Sequence, residues 1–359
     1  MFILAFESSC DETSVSVISH NDGRFEIKSD IIASQTDVHR LYGGVVPEIA
    51  SRAHIEAISR ITYEALEVAK VKISDIDLVA VTANPGLIGA LLVGVNFAKS
   101  IAYANSIPMV AVDHIKGHVG AAYLTEKGSP KTPFVALVVS GGHTAIYFVK
   151  TEYDFELIGT TRDDAAGESF DKVGRILGIP YPAGAGFDKL AREGFEKLTG
   201  KKENFYTEFG KIRSKKIPEL RLPSPAIADA GFDLSFSGLK TAAINLLHRY
   251  EMKNEELPRA EFAASYTYET ITAIADKLDG AIKKYDVKTV VMAGGVAANS
   301  HLRYFVRKTA DKNKTDLFVP PLSLCGDNAA MIGVAGFFAY QRGDIADISL
   351  NASAMDKII

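Results

Sequence analysis

Residues 2–18 read FILAF, ESSCDET, SVSVI: an apolar run, a short polar turn, and a second run rich in β-formers. Residues 134–149 repeat the pattern as FVALVV, SGGHT, AIYFVK. Each stretch predicts a β-hairpin whose turn leaves backbone N–H groups pointing outward, which suits an anion such as phosphate. The recurrence predicts two related lobes that face a cleft, each hairpin opening a mixed α/β segment. DLVAVT (77–82), PMVAV (108–112) and TVVMAG (289–294) are further apolar runs that enter Gly, Asn or Asp and read as strands. In an open α/β sheet, ligands collect at the carboxyl ends of such strands.

Helical stretches follow these runs. ANPGLIGALLVGVNFAKSIAYA (83–104) is a Pro/Gly turn leading into an apolar helix expected in the core. GGVAANSHL (294–302) is a Gly-rich turn entering a helix that starts at Asn299, and AMIGVAGFFAYQ (330–341) reads as a late helix returning to the first lobe. Residues 200–233 are charged and Pro-rich with weak periodicity, the pattern of an insertion near the cleft.

Composition narrows the class. The chain has 359 residues, 47% hydrophobic and 23% charged, ordinary for a soluble protein and long enough for a substantial core. Two cysteines, Cys10 and Cys325, imply no disulfide framework and fit a reducing cytoplasm. The N-terminus lacks the basic region of a signal peptide, and no apolar run approaches the roughly 20 residues of a spanning helix. A net charge of −4 is the wrong sign for holding nucleic acid by a global field. Contact with nucleic acid would need a partner or a local patch, for which Lys211, Arg213, Lys215, Lys216 and Arg221 are candidates; a solvated charged insertion is the other reading.

The candidate chemistry centres on DHIKGH (113–118). His114 and His118, at i and i+4, share one side of a helix and are close enough to share one ion; the plain alternative is a histidine pair with no ion. Zinc proteases use this spacing in HExxH with the glutamate as base, and Ile115 stands in its place here, so that chemistry fails. A third ligand must come from elsewhere, best from Asp327 in LCGDNAAM; two histidines and a carboxylate with open positions suit Fe(II) or Zn(II) as a Lewis acid. Glu7, Asp11 and Glu12 crowd one turn, which costs repulsion unless a cation faces them. Cys10 in that turn has no indicated base and reads as a small buried residue. Gly141 and Gly142 let a ligand approach the backbone. DDAAGESFDK (163–172) places Glu168 and Asp171 on one helical face, and YPAGAGFDK (181–189) adds Gly184 and Asp188; carboxylates suit ribose hydroxyls. Lys240 in SFSGLKT could meet phosphate or RNA, or be a surface lysine.

ESSCDETS, YGGVVPEIASRAH, NPGLIGALLVG, HIKGH, LVVSGGHT, DDAAGESFDK, FSFSGLKT, MAGGVAAN and CGDNAAM occur in this order from residue 7 to about residue 332. Together they closely resemble the TsaD family, the tRNA threonylcarbamoyladenosine transferases, in its bacterial form. The resemblance implies an α/β fold of the actin/Hsp70/sugar-kinase type, two ribonuclease-H-like lobes around a central cleft. The lobes are expected at 1–132 plus 328–359 and at 133–327, the insertion lying in the second. It implies transfer of a threonylcarbamoyl group from threonylcarbamoyl-AMP to the exocyclic amine of the adenosine 3′ to the anticodon in ANN-reading tRNAs, with release of AMP. It carries metal ligation to His114, His118 and Asp327, with Fe²⁺ expected before Zn²⁺, and binding of the donor's adenylate to Val138, Val139, Ser140, Gly141, Gly142, Asp171, Gly184, Asp188 and Asn299. Glu12, then Asp11, are the candidates for proton handling. Implied partners are tRNA, an actin-like TsaB subunit and a small TsaE ATPase, with a homodimer possible in their absence and no membrane. The family often reads YPGGP where this chain reads YPAGAG, Ala183 and Ala185 replacing Gly and Pro, so a looser bend is expected. Two rivals share the fold: an ATPase or small-molecule kinase, which gives the His/His/Asp set no role, and a scaffold that has lost chemistry, which would have lost that set.

Overall fold

The computed structural model describes residues 1–200, 206–227 and 230–355. Part of the expected insertion, 201–205 with 228 and 229, and the last residues 356–359 lie outside the described residues. Among the described residues two five-stranded sheets form. The first holds β1 (Phe2–Glu7), β2 (Glu12–Asn21), β3 (Arg24–Ser34), β4 (Leu78–Asn84) and β5 (Met109–Asp113), in the order β3-β2-β1-β4-β5. The second holds β6 (Phe134–Val139), β7 (Thr144–Thr151), β8 (Asp154–Thr160), β9 (Thr289–Ala293) and β10 (Asp316–Phe318), in the order β10-β9-β6-β7-β8. Read from the third strand of each set, the orders are the same. In both, the first three strands are antiparallel and the last two join in parallel. The two sequence hairpins are β1–β2 and β6–β7, which pair the central strand of each sheet with its antiparallel neighbour at equivalent places in this repeat, and the chain is an α/β protein with two such lobes.

The helices are α1 (Thr36–Arg40), α2 (Pro47–Ala69), α3 (Ile88–Asn105), α4 (His114–Gly120), α5 (Ala166–Ile176), α6 (Gly184–Thr199), α7 (Tyr206–Lys216), α8 (Ser237–Met252), α9 (Arg259–Tyr285), α10 (Ser300–Asn313) and α11 (Ala329–Arg342). Among the described residues no helix is long and apolar enough to cross a membrane.

The first sheet is buried on both faces. Successive side chains of a strand point to opposite faces. Ile3 and Ala5 therefore join Val110, Val112 and the α11 residues Met331, Val334 and Phe337. Leu4 and Phe6 join Ile58, Ile61, Ala65, Val95 and Ala98 from α2 and α3. In the second sheet Val135, Leu137 and Val139 pack with α5, α6, α8, α9 and α10. Its other face, Phe134, Ala136 and Val138, takes Ile115 and Val119 of α4. Helix α4 is thus wedged between the two halves. A Cβ on Gly117 would lie 2.5 Å from Ile332 Cδ1 and one on Gly120 would lie 2.9 Å from Met331 O, so the missing side chains let α11 close on it. Seven residues, HIKGHVG, serve three neighbours: an apolar stripe for the second sheet, a glycine stripe for α11, and a histidine stripe for the cleft.

Candidate metal and acyl-transfer site

Helix α4 starts where β5 ends. Asp113 caps it, accepting from the N–H groups of Ile115 and Lys116, and also accepts from Asn84 Nδ2 at 2.7 Å. The cap fixes the direction in which His114 and His118 leave the helix. Asp327 is fixed in the same way from the other side. The next residue, Asn328, is fully buried, caps α11 by accepting from Met331 N at 3.0 Å, and donates to Gly326 O at 2.8 Å.

The two caps bring three groups together. His114 Nε2 lies 3.5 Å and His118 Nε2 3.4 Å from Asp327 Oδ1, with the rings 4.5 Å apart. These are long for hydrogen bonds. They match the separation of about 3.4 Å between donors held about 2.1 Å from one ion at a tetrahedral angle. Among the described residues, both nitrogens of His118 are buried without a hydrogen-bond partner. A polar atom left unpaired in a protein interior carries its full desolvation penalty. The His/His/carboxylate donor set and the orphaned nitrogens fit a divalent transition metal, which three protein donors would leave short of a full coordination shell.

Electrostatics agree. Burial, His114 and His143 all push His118 well below the ordinary histidine value, so it is a neutral ring with a free lone pair. Burial alone would lower His114 too, but the Asp327 and Glu7 carboxylates outweigh it and raise the ring to about 9. Burial lifts Asp327 to about 6; His114 opposes this, while Glu7 and Asp11 add to it. The set is thus a strained mixture of charges that a cation would relieve.

Behind His114 stands Glu7, 1% exposed. Its Oε2 lies 3.1 Å from His114 Nδ1 and accepts from Thr82 Oγ1 at 2.5 Å; its Oε1 accepts from Ser9 N at 2.5 Å. Sequence reading grouped Glu7 with Asp11 and Glu12 as one crowded turn. The structure separates them: Glu7 points back to His114, while Glu12 faces Asp327 and Asp11. The signal was a carboxylate closing an otherwise apolar strand. Burial, then Asp327 and Asp11, push Glu12 up to about 9. Burial and Asp11 raise the Cys10 thiol far above its usual value, so it is no nucleophile.

Residues expected to hold the adenylate lie on the second half. Val138 and Val139 end β6, and Ser140 turns the hairpin, its Oγ accepting from His143 N at 3.1 Å. A Cβ on Gly141 or Gly142 would meet nothing within 4 Å, so the turn is open. Helix α5 packs its start on this turn: Glu168 N donates to Gly141 O at 3.1 Å and Ala166 N to Thr144 Oγ1 at 2.9 Å. Asp171 accepts from Ala183 N at 2.7 Å; burial raises its pKa, opposed by that bond and helped by Asp11 and Glu168. Asp188 accepts from Ser300 N at 2.9 Å, which places it beside Asn299, the cap of α10. Asp11 is close enough to influence both Asp171 and Asp327, and His143 to influence His118. The hairpin turn, through His143, and Asp171, through Asp11, thus lie toward the metal candidates. Gly184 opens α6, and a Cβ there would meet nothing within 4 Å.

Three expectations change. Ala183 is 1% exposed with its Cβ packed against Gly174, so the YPAGAG bend is tight where a looser one was expected. Arg213 is not part of a surface patch: it is 4% exposed and pairs with Glu269 at 2.6 Å. Lys240 is spent on Asp164, which also binds Lys172 at 2.8 Å.

The family model described as TsaD, tRNA N6-adenosine threonylcarbamoyltransferase, matches residues 26–334. The curated protein of that name from Clostridium novyi is 47% identical over 351 residues, covering 98% of this chain and 96% of the relative. The one from Geobacillus kaustophilus is 46% identical over 354 residues, covering 98% and 96%. Among solved structures, HypF from T. kodakarensis aligns with a TM-score of 0.54 at 12% identity, covering 97% of this chain and 48% of that one, a likeness of fold alone.

Proposed function

The chain belongs to the TsaD family of tRNA N6-adenosine threonylcarbamoyltransferases, and we propose that His114, His118 and Asp327 are the centre from which it works. The reaction is acyl transfer from threonylcarbamoyl-AMP to the exocyclic amine of a tRNA adenosine, with AMP as leaving group. The observation that carries the site assignment is the meeting of two imidazole nitrogens on one carboxylate oxygen at 3.5 and 3.4 Å, with both His118 nitrogens otherwise unpaired. A phosphotransfer reading of the same fold leaves those nitrogens without a purpose. The group held there is a divalent transition metal, Fe²⁺ before Zn²⁺, and when bound it supplies a Lewis acid for the carbamoyl end of the donor.

The chain's own residues do the rest. The Ser140–Gly142 turn is open at Gly141 and Gly142, where a phosphate can approach the main chain. Asp171 and Asp188, held by Ala183 N and Ser300, offer carboxylate oxygens to ribose hydroxyls, and Gly184 and Asn299 border them. Val138 and Val139 seat the hairpin. Glu12 takes the proton that the attacking amine gives up, with Asp11 second. Burial, Asp327 and Asp11 raise its proton affinity, so a cation beside Asp327 would be what keeps Glu12 ionised and able to accept that proton. The acidic chain shares tRNA with TsaB-like and TsaE-like subunits in the cytoplasm. The exposed Ile55 and Tyr63 of α2 face outward and suit an actin-like partner, or a second copy in its absence. The lobes divide at 1–132 plus 328–359 and 133–327.

The test is reconstitution. The chain is supplied with threonylcarbamoyl-AMP and unmodified ANN-reading tRNA, with and without partners, and modified nucleoside and bound metal are measured by mass spectrometry. Wild type is expected to carry one metal per chain and to form product; His118→Ala is expected to lose both. Full activity in His118→Ala would remove the cluster from the reaction.

A further inference from the structure

We infer that His54 is a positioning residue: from the buried face of α2 it bonds the Cys10 carbonyl and the Thr13 hydroxyl, on either side of Asp11 and Glu12, and so sets where those carboxyls stand in the cleft. The inference rests on the proposed proton-handling role of that pair.

The ring of His54 is fully buried. Its Nε2 lies 3.0 Å from Cys10 O and its Nδ1 2.7 Å from Thr13 Oγ1. A carbonyl oxygen can only accept, so Nε2 carries the proton. Burial lowers the ring's pKa against the pull of Cys10 O and the Glu7 and Asp11 carboxylates, so the ring is neutral. In that tautomer Nδ1 accepts from the Thr13 hydroxyl, itself fully buried. One flat ring thus spans residues 10 and 13 and leaves 11 and 12 free to face the cleft.

The rest of the turn is secured differently. Ser8 Oγ donates to Ala90 O at 3.0 Å and Leu87 N to Ser9 O at 2.8 Å, which tie residues 8 and 9 to the start of α3. Gln35 N donates to Asp11 O at 3.0 Å. β1 ends at Glu7 and β2 begins at Glu12, so the segment between has no ladder of its own. His54 supplies the side-chain bonds at the far end of it. Packing alone would be met by an apolar residue; a ring with a donor bond at one nitrogen and an acceptor bond at the other is a spacer of fixed length.

The test uses His54→Leu and His54→Gln in the full chain with its partner subunits, threonylcarbamoyl-AMP and unmodified tRNA. His54→Leu removes both bonds, whereas the Gln amide offers one donor and one acceptor. Misplacing a reacting group by about 1 Å can cost on the order of 10²-fold in rate, so His54→Leu is expected to lower kcat about 10- to 100-fold. Donor KM and bound metal are expected to stay at wild-type values, and His54→Gln to recover most of kcat. Unchanged kcat in His54→Leu overturns the inference. So does a joint loss of kcat, donor binding and metal that Gln fails to rescue, since that is a merely structural effect. Glu12→Gln is run beside them. If it turns over normally, the proton-handling reading has failed; if it is slow while His54→Leu is fast, only the role of His54 has failed.

Discussion

Glu7 Oε2 lies 3.1 Å from His114 Nδ1, and both residues are buried. The contact turns His114 so that Nε2 faces Asp327 and His118 and fixes Nδ1 as the protonated nitrogen. Ser9 N and Thr82 Oγ1 hold the carboxylate from the other side. A carboxylate behind a ligating histidine typically contributes 10- to 100-fold in metal affinity, and Glu7→Ala is expected to lose about that much. Competition against a chelator of known affinity measures it. An unchanged metal affinity would mean that Glu7 serves only the fold.

Asp30 on β3 gives a pH dependence. Ser14 Oγ donates to it at 3.3 Å, and the amides of Ala330 and Ala329 help to hold its charge, yet burial wins and raises it to about 6. The folded value lies above the unfolded one. Its contribution to stability is therefore fully present below pH about 4 and is lost as pH rises through about 6. Asp30→Asn does not ionise. Denaturation at stepped pH is expected to show the variant gaining about 1–3 kcal/mol on wild type between pH 4 and pH 7. Parallel curves would show that Asp30 titrates normally.

Local pattern was legible, and of the long-range groupings only the meeting of His114 and His118 with Asp327 was expected. The hairpins at 2–18 and 134–149 became β1–β2 and β6–β7, and the runs at 77–82, 108–112 and 289–294 became β4, β5 and β9. Alternation and turn chemistry are properties of neighbours in sequence, so they show there. The i, i+4 histidines were visible for the same reason. The third strands β3 and β8 escaped notice because they are half-exposed, and their mixed polar sequence hides the period. Glu7 meets His114 across 107 positions, and Glu269 decides the fate of Arg213 from another helix. No window of sequence contains both members of either pair.

That burial of Arg213 makes a stability prediction. Its guanidinium is 2.6 Å from Glu269 and faces the rings of Phe209 and Tyr268. Removing one member of a buried pair leaves the other charged without compensation, at about 3–5 kcal/mol. Glu269→Gln is expected to destabilise by about that amount in urea, with the KM for tRNA unchanged. A weaker, more salt-sensitive tRNA interaction would restore Arg213 to a nucleic-acid surface.

Glu12→Ala is expected to lower turnover by about 10²–10⁴-fold while the thermal midpoint holds, because the bond that the Glu12 carboxyl accepts from Ser34 Oγ is long, at 3.4 Å. Single-turnover formation of the modified nucleoside reads it. A wild-type rate would pass the proton to Asp11 or to solvent.

Two glycines near one turn separate ligand approach from packing. A Cβ on Gly167, in the first turn of α5, would lie 2.5 Å from Ser140 O and 2.8 Å from Gly141 Cα. Both are main-chain atoms, and the two segments are already bonded through Glu168 N and Gly141 O. Gly167→Ala must push the helix and the hairpin apart, and overpacking of this kind typically destabilises by about 1–3 kcal/mol. A Cβ on Gly141 meets nothing, so Gly141→Ala is expected to leave the unfolding midpoint unchanged. If the donor's phosphate rests on that turn, the added methyl stands where it approaches, and the KM for threonylcarbamoyl-AMP rises about tenfold or more. Gly167→Ala is expected to raise the donor KM and lower stability together, because it moves the same turn from behind. A donor KM that stays at the wild-type value in Gly141→Ala would place the phosphate elsewhere in the cleft and leave the hairpin with a packing role only.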